Sequence, residues 1–401
     1  METRTLFIIG NGFDLAHGLR TSYMDFFHYL EELRLSYYPE YKFSGPHYFK
    51  DNEISQFLNH PVSIGIHSIL NLNDPSKRNI WCSYFERVFD KKKSIETWID
   101  FEKEMQAVIQ EIDSESRQDS LKKKNSIDSF WFKMSGDIHY DNYPKRIYDI
   151  LSTIRDKYYI PSIELEELSR KESALFLYDE LRRYTFCFEM YLACIMPILP
   201  PKFSQHTSVP LSRFFEIDTK HNFLLSFNYT TTAEERYKIS SLQYIHGKLR
   251  SPDELEAHMF EPDFQLSTPL ILGFHSGNTN SDTNPTPFLF FEKFFQRILH
   301  ETKDYIYDWI NHSTQNRQFK TVIYGHSLDS SDGDFIKFIF EKSYSITVYY
   351  HEPAALPSLI TNLVSIFGRE EVNRIHSQGK LKFVSADTLK VPEPEVDYAL
   401  T

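Results

Sequence analysis

The amino-acid sequence predicts an α/β fold in which a mostly parallel β-sheet carries a large helical insertion. The apolar run Leu6–Ile9 is stopped by Gly10 and is typical of a strand buried on both faces. Beyond about residue 220, short apolar runs alternate with helical stretches, as in a parallel sheet. Between these regions apolar residues recur every three or four positions, which indicates helices. We therefore predict a core of residues 1–20 and 221–401, with a helical insertion of residues 21–220.

The composition is that of a folded globular protein. The 401 residues include 34 Phe and 25 Tyr but only 13 Gly, which favours broad aromatic packing between helices. A formal net charge of -12 disfavours nucleic acid and anionic membranes as partners. Three cysteines without a C-x-x-C pair fit a reducing compartment. With no signal-like segment and no run of about 18 apolar residues, we expect a cytoplasmic protein with no membrane partner.

Six apolar runs after residue 220 are the predicted C-terminal strands. Ligands of open parallel sheets bind beyond the carboxyl ends of the strands, so the residues that follow each run are candidate site residues. The first predicted strand and the next four are each followed by Gly, Asn, His or Ser, and this regularity favours a ligand site over purely structural turns. The C-terminal runs are "HNFLLSFNY", "LQYIHG", "PLILGF", "KTVIYGHS", "SITVYYH" and "LKFVSA".

The turn after the first strand reads Gly10-Asn11-Gly12. Glycine has no Cβ, so this backbone can turn sharply and approach another group closely. A dinucleotide-binding G-x-G-x-x-G motif would need a third glycine where this chain has Leu15. Taken alone, the turn fits a phosphate site and a plain strand-to-helix turn equally well.

Four strand-end motifs resemble the sirtuin-like family of NAD-handling proteins. They are Gly10-Asn11-Gly12, Ser226-Phe227-Asn228-Tyr229, His246-Gly247 and Gly325-His326-Ser327-Leu328. The aspartate that follows Asn-Tyr in many sirtuin-like proteins is Thr230 here, so no role is carried over for that carboxylate. Three unpaired cysteines cannot form the four-cysteine zinc site of sirtuin deacylases. The resemblance therefore implies a Rossmann-like, sirtuin-like core and not a zinc-dependent deacylase.

The chain resembles the AbiH family of bacteriophage abortive-infection proteins more closely still. The shared motifs, in order along residues 6–334, are "GNGFDLAHGL.T.Y", "W.DFE" at Trp98 to Glu102, "FNYT", "HG", "KFFQ" at Lys293 to Gln296, and "YGHSL..SD". This resemblance implies a role in antiphage defence. With the sirtuin-like core, it implies an NAD+ glycohydrolase that cleaves the nicotinamide–ribose bond and depletes the nucleotide in infected cells.

The resemblance also implies roles for the strand-end residues, with NAD as substrate and no required cofactor or metal. His246 would be the catalytic base, and Asn228 would orient the attacking water and the ribose. The turn Gly10, Asn11 and Gly12 would hold the pyrophosphate, Gly325 and Ser327 would contact the adenosine ribose, and Asp14 would lie beside the nicotinamide ribose. Structural explanations stay open: a capped turn for Asn228, a hydrogen-bonded turn histidine for His246, and a helix cap for Asp14.

Two other functions stay open. "GHSLD" at 325–329 is close to the nucleophile elbow of serine hydrolases, but Asp329 replaces its last glycine and only His351 and His376 follow. Alternatively, the protein is a nucleotide-binding sensor or scaffold without turnover, whose helical insertion recognises a phage-derived trigger or holds a homo-oligomer. We further predict that Asn11, Asp14, Asn228, His246 and Ser327 line one cleft, with the loop 273–286 as a mobile cover.

Overall fold

The computed structural model describes most of the chain, in two compact units. The sheet unit comprises residues 1–21, 201–248 and 302–401, and the helical unit comprises residues 22–200 and 249–301. The described residues are 4–37, 48–74, 78–91, 101–110, 170–202, 222–237, 239, 241–275, 287–300, 305–311 and 319–389.

The sheet unit is built on a six-stranded, all-parallel sheet with the order β3-β2-β1-β4-β5-β6. This is the strand order of doubly wound dinucleotide-binding folds, with its switch point between β1 and β4. The first strand pairs with β2 on one side and β4 on the other, which confirms the predicted Rossmann-like α/β fold. The strands are β1 Thr5–Ile9, β2 Asn222–Ser226, β3 Leu242–Tyr244, β4 Phe319–Tyr324, β5 Ser343–Tyr350 and β6 Leu381–Ser385.

Alternating side chains of the central strands fill two cores, one on each face of the sheet. Leu6 and Ile8 belong to one core cluster, whereas Phe7 and Ile9 belong to the other. Burial on both faces is why these strands read as continuous apolar runs in the sequence. The described helices of this unit are Asn11–Ala16, Thr232–Tyr237, Tyr305–Asn311, Gly333–Lys342, Leu356–Phe367 and Arg369–Ser377.

One predicted strand, "PLILGF" at residues 269–274, is wrong. The segment is buried, but the Gln296 side chain accepts a hydrogen bond from the Leu272 N–H at 3.0 Å and donates one to the Leu272 carbonyl at 2.9 Å. The Phe274 N–H bonds to the Phe291 carbonyl at 3.0 Å. Because these partners outside the sheet satisfy the backbone, an apolar run can lie buried without joining the sheet.

Residues 249–301, which the sequence pattern assigned to the core, cluster with the helical unit. Phe264 packs edge-on against Phe186, and Phe290 stacks on Tyr178 at 5.5 Å between ring centroids. Gly273 and His275 therefore do not follow a strand of the sheet. Residues 276–286 of the predicted cover lie outside the described residues.

The helical unit has an aromatic core, in agreement with the composition. Phe101 stacks on Phe85 at 3.9 Å and on Tyr23 at 4.1 Å between ring centroids. None of the helices in the described ranges is long and apolar enough to cross a membrane. The helices of this unit are Tyr23–Tyr37, Asp51–Leu58, Pro61–Ile69, Ile80–Lys91, residues 101–110, Arg170–Met190, Pro252–His258, Pro262–Leu266 and Lys293–Leu299.

A buried ion pair ties the long helix Arg170–Met190 to the segment after residue 249. The side chain of Glu189 is 0% exposed and accepts hydrogen bonds from Nε and Nη2 of Arg250 at 3.0 and 2.6 Å. The Arg250 backbone N–H and the Thr268 hydroxyl add two more, at 3.0 and 2.9 Å. Four donors thus satisfy this carboxylate, which offsets the cost of burying its charge.

We expect Glu189→Ala to destabilise the protein by about 3–5 kcal/mol, because it leaves the Arg250 guanidinium largely buried without its counter-ion. The same substitution at Glu371, whose pair with Arg374 is exposed, is the control and should change stability little. Urea denaturation monitored by far-UV circular dichroism measures both. Equal losses in the two variants would contradict the role given to Glu189.

Candidate functional site

Each of the four neighbouring strands β3, β2, β1 and β4 is followed, two residues after its end, by a polar side chain. Across the sheet these residues are His246, Asn228, Asn11 and His326. The last residues of the four strands are paired in register, so the four polar residues start from the same edge at the same distance beyond the sheet. The sequence identified the first three as candidates but gave His326 no role.

The switch point between β1 and β4 is closed by two turns in backbone contact. The Gly12 N–H donates to the Gly325 carbonyl at 2.8 Å, and a Cβ on Gly12 would lie 2.7 Å from the Gly325 Cα. Gly325 has φ +66, a conformation that side chains with a Cβ rarely adopt, and Gly10 also packs against His326. The Gly12 N–H is therefore engaged within the fold. The role of this turn in binding the pyrophosphate stays a prediction. Donors other than the Gly12 N–H would have to bind the phosphate oxygens.

Asn11 and Asp14 lie in the first helix, directly after β1. The half-buried Asn11 accepts a hydrogen bond from the Thr21 hydroxyl at 2.6 Å. Asp14 is 1% exposed, and its Oδ2 accepts a hydrogen bond from the Thr230 hydroxyl at 2.6 Å. The hydroxyl of Thr232 donates to Thr230 at 3.1 Å, so the turn after β2 supports the carboxylate. The Asp14 carboxylate, in the helix after β1, is thus held by Thr230 from the turn after β2.

Burial raises the pKa of Asp14 from 3.8 to about 6, although the nearby side chains of Thr230, Thr232 and Asn228 act in the opposite direction.

The Asn228 backbone bonds to the Ser226 hydroxyl through both its N–H and its carbonyl, at 3.2 and 3.3 Å. This turn is therefore capped by serine, not by the asparagine side chain that the structural explanation invoked.

Oδ1 of Asp14 and Nδ2 of Asn228 are buried at this edge and make no well-formed hydrogen bond within the described residues. Asp14 is 1% exposed and Asn228 is 5% exposed. Leaving such a group unsatisfied costs about 1–3 kcal/mol. An acceptor and a donor buried at one strand edge are the groups that a bound polar ligand would satisfy.

His246 and His326 share a carboxylate that the sequence did not single out. Asp332 Oδ1 lies 3.1 Å from His246 Nε2, and Asp332 Oδ2 lies 3.6 Å from His326 Nε2. Both rings pack edge-on against Phe227, at 5.4 and 4.3 Å between centroids. The only sequence signal for Asp332 was its place at the end of the motif "YGHSL..SD".

The turn after β4 also fixes His326. Leu328 is fully buried with φ 56, an uncommon conformation for a residue with a Cβ, and its N–H donates to Nδ1 of His326 at 2.9 Å. A backbone in such a conformation costs on the order of 1–3 kcal/mol and is concentrated at functional sites. Ser327, between the two, is half-buried, and its carbonyl accepts a hydrogen bond from Asn362 at 2.9 Å.

The histidines that a serine hydrolase would need are poorly placed for Ser327. His376 bonds to the carbonyl of Leu381 at the start of β6, which is the opposite edge of the sheet. His351 follows β5 at the same edge as Ser327, but its side chain is 63% exposed and faces Glu352 at 3.4 Å. Within the described residues, no hydrogen bond joins either histidine to Ser327. His376 and His351, the two histidines considered from the sequence, are therefore not placed to serve Ser327.

We expect Asp14→Asn to stabilise the protein above about pH 6 by up to about 3 kcal/mol. The raised pKa means that ionising the folded state costs free energy, a cost fully present above the folded pKa and absent below about pH 4, where both states are protonated. Urea denaturation at neutral and acidic pH measures the gain. Asp334→Asn, at an exposed position, is the control. Equal effects of Asp14→Asn at both pH values would contradict this account.

Among the residues that the structure describes, no three His, Cys, Asp or Glu side chains are arranged to hold a metal ion. In comparisons with known proteins, no curated protein and no solved structure matches the chain. A model of the family described as "Bacteriophage abortive infection AbiH" matches residues 6–350, which is most of the 401 residues and includes every candidate site residue. The chain therefore belongs to the AbiH family of bacteriophage abortive infection proteins.

Proposed function

We propose that this AbiH protein hydrolyses NAD+ at the nicotinamide–ribose bond, and that loss of NAD+ in infected cells prevents phage multiplication. Membership of the family supplies the abortive-infection context. The observation that supports the enzymatic part is a buried acceptor and donor, Asp14 Oδ1 and Asn228 Nδ2, which make no well-formed hydrogen bond within the described residues and lie at the strand edge that also holds His246. Such a donor and acceptor suit the hydroxyl groups of a ribose.

The chemistry requires stabilisation of positive charge on the ribose. The bond between C1′ and the nicotinamide nitrogen breaks with its electron pair leaving on the nitrogen, which neutralises the pyridinium. The ribose then carries cationic character until a water oxygen bonds to C1′ and releases a proton. The site must hold the sugar, stabilise the cation and accept this proton.

Asp14 suits the first two tasks. With a pKa of about 6 its carboxylate is largely ionised at neutral pH, and it is buried where a negative charge acts strongly on a developing cation. Thr230 holds Oδ2, so Oδ1 is the atom that would accept a hydrogen bond from a ribose hydroxyl. The Asn228 amide would donate to the sugar or to the attacking water without adding charge.

His246 suits the third task. An imidazole takes up a proton near neutral pH, and the neighbouring Asp332 carboxylate stabilises the imidazolium that forms. His246 is 5% exposed, so the proton would come from a water held in the site and not from bulk solvent. Ser327, half-buried beside His326, would contact the adenosine ribose.

We expect His246→Ala to lower the rate of nicotinamide release roughly 10²–10⁴-fold while leaving the affinity for a non-hydrolysable NAD analogue nearly unchanged. Asn228→Ala should reduce turnover comparably, because the water is no longer aligned with C1′. Chromatographic detection of nicotinamide and calorimetric titration measure the two quantities. His351→Ala, an exposed histidine after β5 at the same sheet edge, is the matched control and should keep full activity.

Full NAD+ cleavage by His246→Ala would overturn the proposed role of this histidine. A wild-type protein that binds NAD+ but releases no nicotinamide under any condition, including phage infection, would instead support the sensor function.

We expect Ser327→Ala to weaken nucleotide binding by about 0.5–1.5 kcal/mol, because one hydrogen bond to the ribose is lost. Nicotinamide release at saturating NAD+ should be retained. In a serine hydrolase the same substitution would abolish covalent chemistry. Labelling of Ser327 by a serine-directed phosphonate, with loss of all activity, would contradict NAD+ hydrolysis.

A further inference from the structure

Asp332 holds the two strand-end histidines in a fixed arrangement. We propose that Asp332 is a positioning residue that keeps the hydrogen of His246 on Nε2, so that Nδ1 is the nitrogen that accepts the proton of the attacking water. The catalytic consequence rests on the proposed NAD+ hydrolysis. The tautomer itself is a property of the folded protein and can be measured without turnover.

The contacts of the Asp332 carboxylate define the tautomer. Its ionised oxygens repel the lone pair of an unprotonated ring nitrogen, so the nitrogen nearest to them carries the hydrogen. Nε2 of His246 lies 3.1 Å from Oδ1 and Nε2 of His326 lies 3.6 Å from Oδ2, as close ionic contacts that are not aligned as hydrogen bonds. For His326 a second contact gives the same answer, since its Nδ1 accepts the Leu328 N–H and the hydrogen must therefore sit on Nε2.

The chain that follows β4 must pass over the strand ends to bring Asp332 to His246. In the strand order, β2 and β1 separate β3 from β4, so these two strands lie on the order of 14 Å apart. The segment 325–332 follows β4, yet Asp332 contacts a residue that follows β3. His326 also contacts Phe227, which follows β2. The segment therefore lies over the carboxyl ends of the strands between them.

The local structure gives Asp332 little freedom. It is 8% exposed and ends the 3₁₀ turn Ser330–Asp332, immediately before the helix Gly333–Lys342. The Asp329 side chain caps this turn by accepting the Ser331 N–H at 3.0 Å. The ring of Phe227 contacts both histidine rings and restricts their rotation. A carboxylate held between two restrained imidazoles can orient one of them as a base and stabilise its protonated form.

The test uses the full-length protein labelled with ¹⁵N at histidine. Long-range ¹H–¹⁵N correlation spectra distinguish the two tautomers, and the peaks missing in His246→Gln assign that ring. At about pH 8.5, where an ordinary imidazole is neutral, we expect wild-type His246 to carry its hydrogen on Nε2. In Asp332→Asn, of equal size and without charge, this single tautomer should be lost. Asp334→Asn, at the exposed start of the next helix, should keep it.

Kinetics supply a second readout. Asp332→Asn should lower kcat for nicotinamide release by up to roughly 10⁴-fold, because an imidazole held in the wrong tautomer cannot act as the base, with a much smaller change in KM. Unfolding of Asp332→Asn would not decide the matter, but the wild-type spectrum does: a hydrogen on Nδ1 of His246 overturns the proposal without any variant. So does an unchanged tautomer in a folded Asp332→Asn protein. If wild type fails to cleave NAD+, the proposed function fails, whereas the spectra still decide whether Asp332 sets the tautomer.

Discussion

The backbone contact between the turns after β1 and β4 is the constraint on which the candidate site depends. Gly12 and Gly325 lie so close that a Cβ on either would meet the backbone of the other turn. Because the turns meet at the switch point, the chain after β4 begins its crossing at the middle of the sheet. A larger residue at either position would separate the turns and carry Asp332 away from His246. The glycines thus contribute to the site through close packing of the backbone, which fixes the path of the chain after β4.

The two units differ in how completely a buried carboxylate is hydrogen-bonded. In the helical unit, the Glu189 carboxylate receives four hydrogen bonds and is fully satisfied, which is the pattern of a structural ion pair. In the sheet unit, Asp14 keeps one oxygen without a well-formed hydrogen bond, and burial raises its pKa. A carboxylate that is costly to the folded state and incompletely satisfied is characteristic of a binding or catalytic position. Of these two buried carboxylates, Asp14 in the sheet unit is therefore the candidate for a functional group.

Packing of the sheet offsets the free-energy cost of the buried polar groups at this edge. The central strands bury side chains on both faces, so each contributes to two cores at once. The polar groups are confined to the edge where those strands end, and there the strained Leu328 and the buried Asp14 and His246 are gathered. In parallel α/β folds the apolar sheet supplies the stability, and ligands bind at polar residues beyond the strand ends.

Some features of the fold could be predicted from the sequence alone, and one prediction was wrong. Local pattern predicted β1 and its inclusion in the C-terminal sheet, because a strand buried on both faces is a continuous apolar run that needs neighbours. The same reasoning was wrong for "PLILGF", since the side chain of Gln296 takes the place of a neighbouring strand and no local pattern reveals a partner so distant in sequence.

For the candidate site, position after a strand was the informative signal. It predicted that Asn11, Asn228 and His246 start from one edge of the sheet, and the strand ends confirm that placement because parallel strands end at a common edge. Asp332 and the supporting role of Thr230 were decided only by tertiary structure. Asp332 reaches His246 by crossing strands that are remote in sequence, and Thr230 meets Asp14 across 216 residues of chain. The sequence predicts which residues follow each strand. Which of their side chains meet depends on how the turns pack, and that packing is determined by contacts between segments distant in sequence.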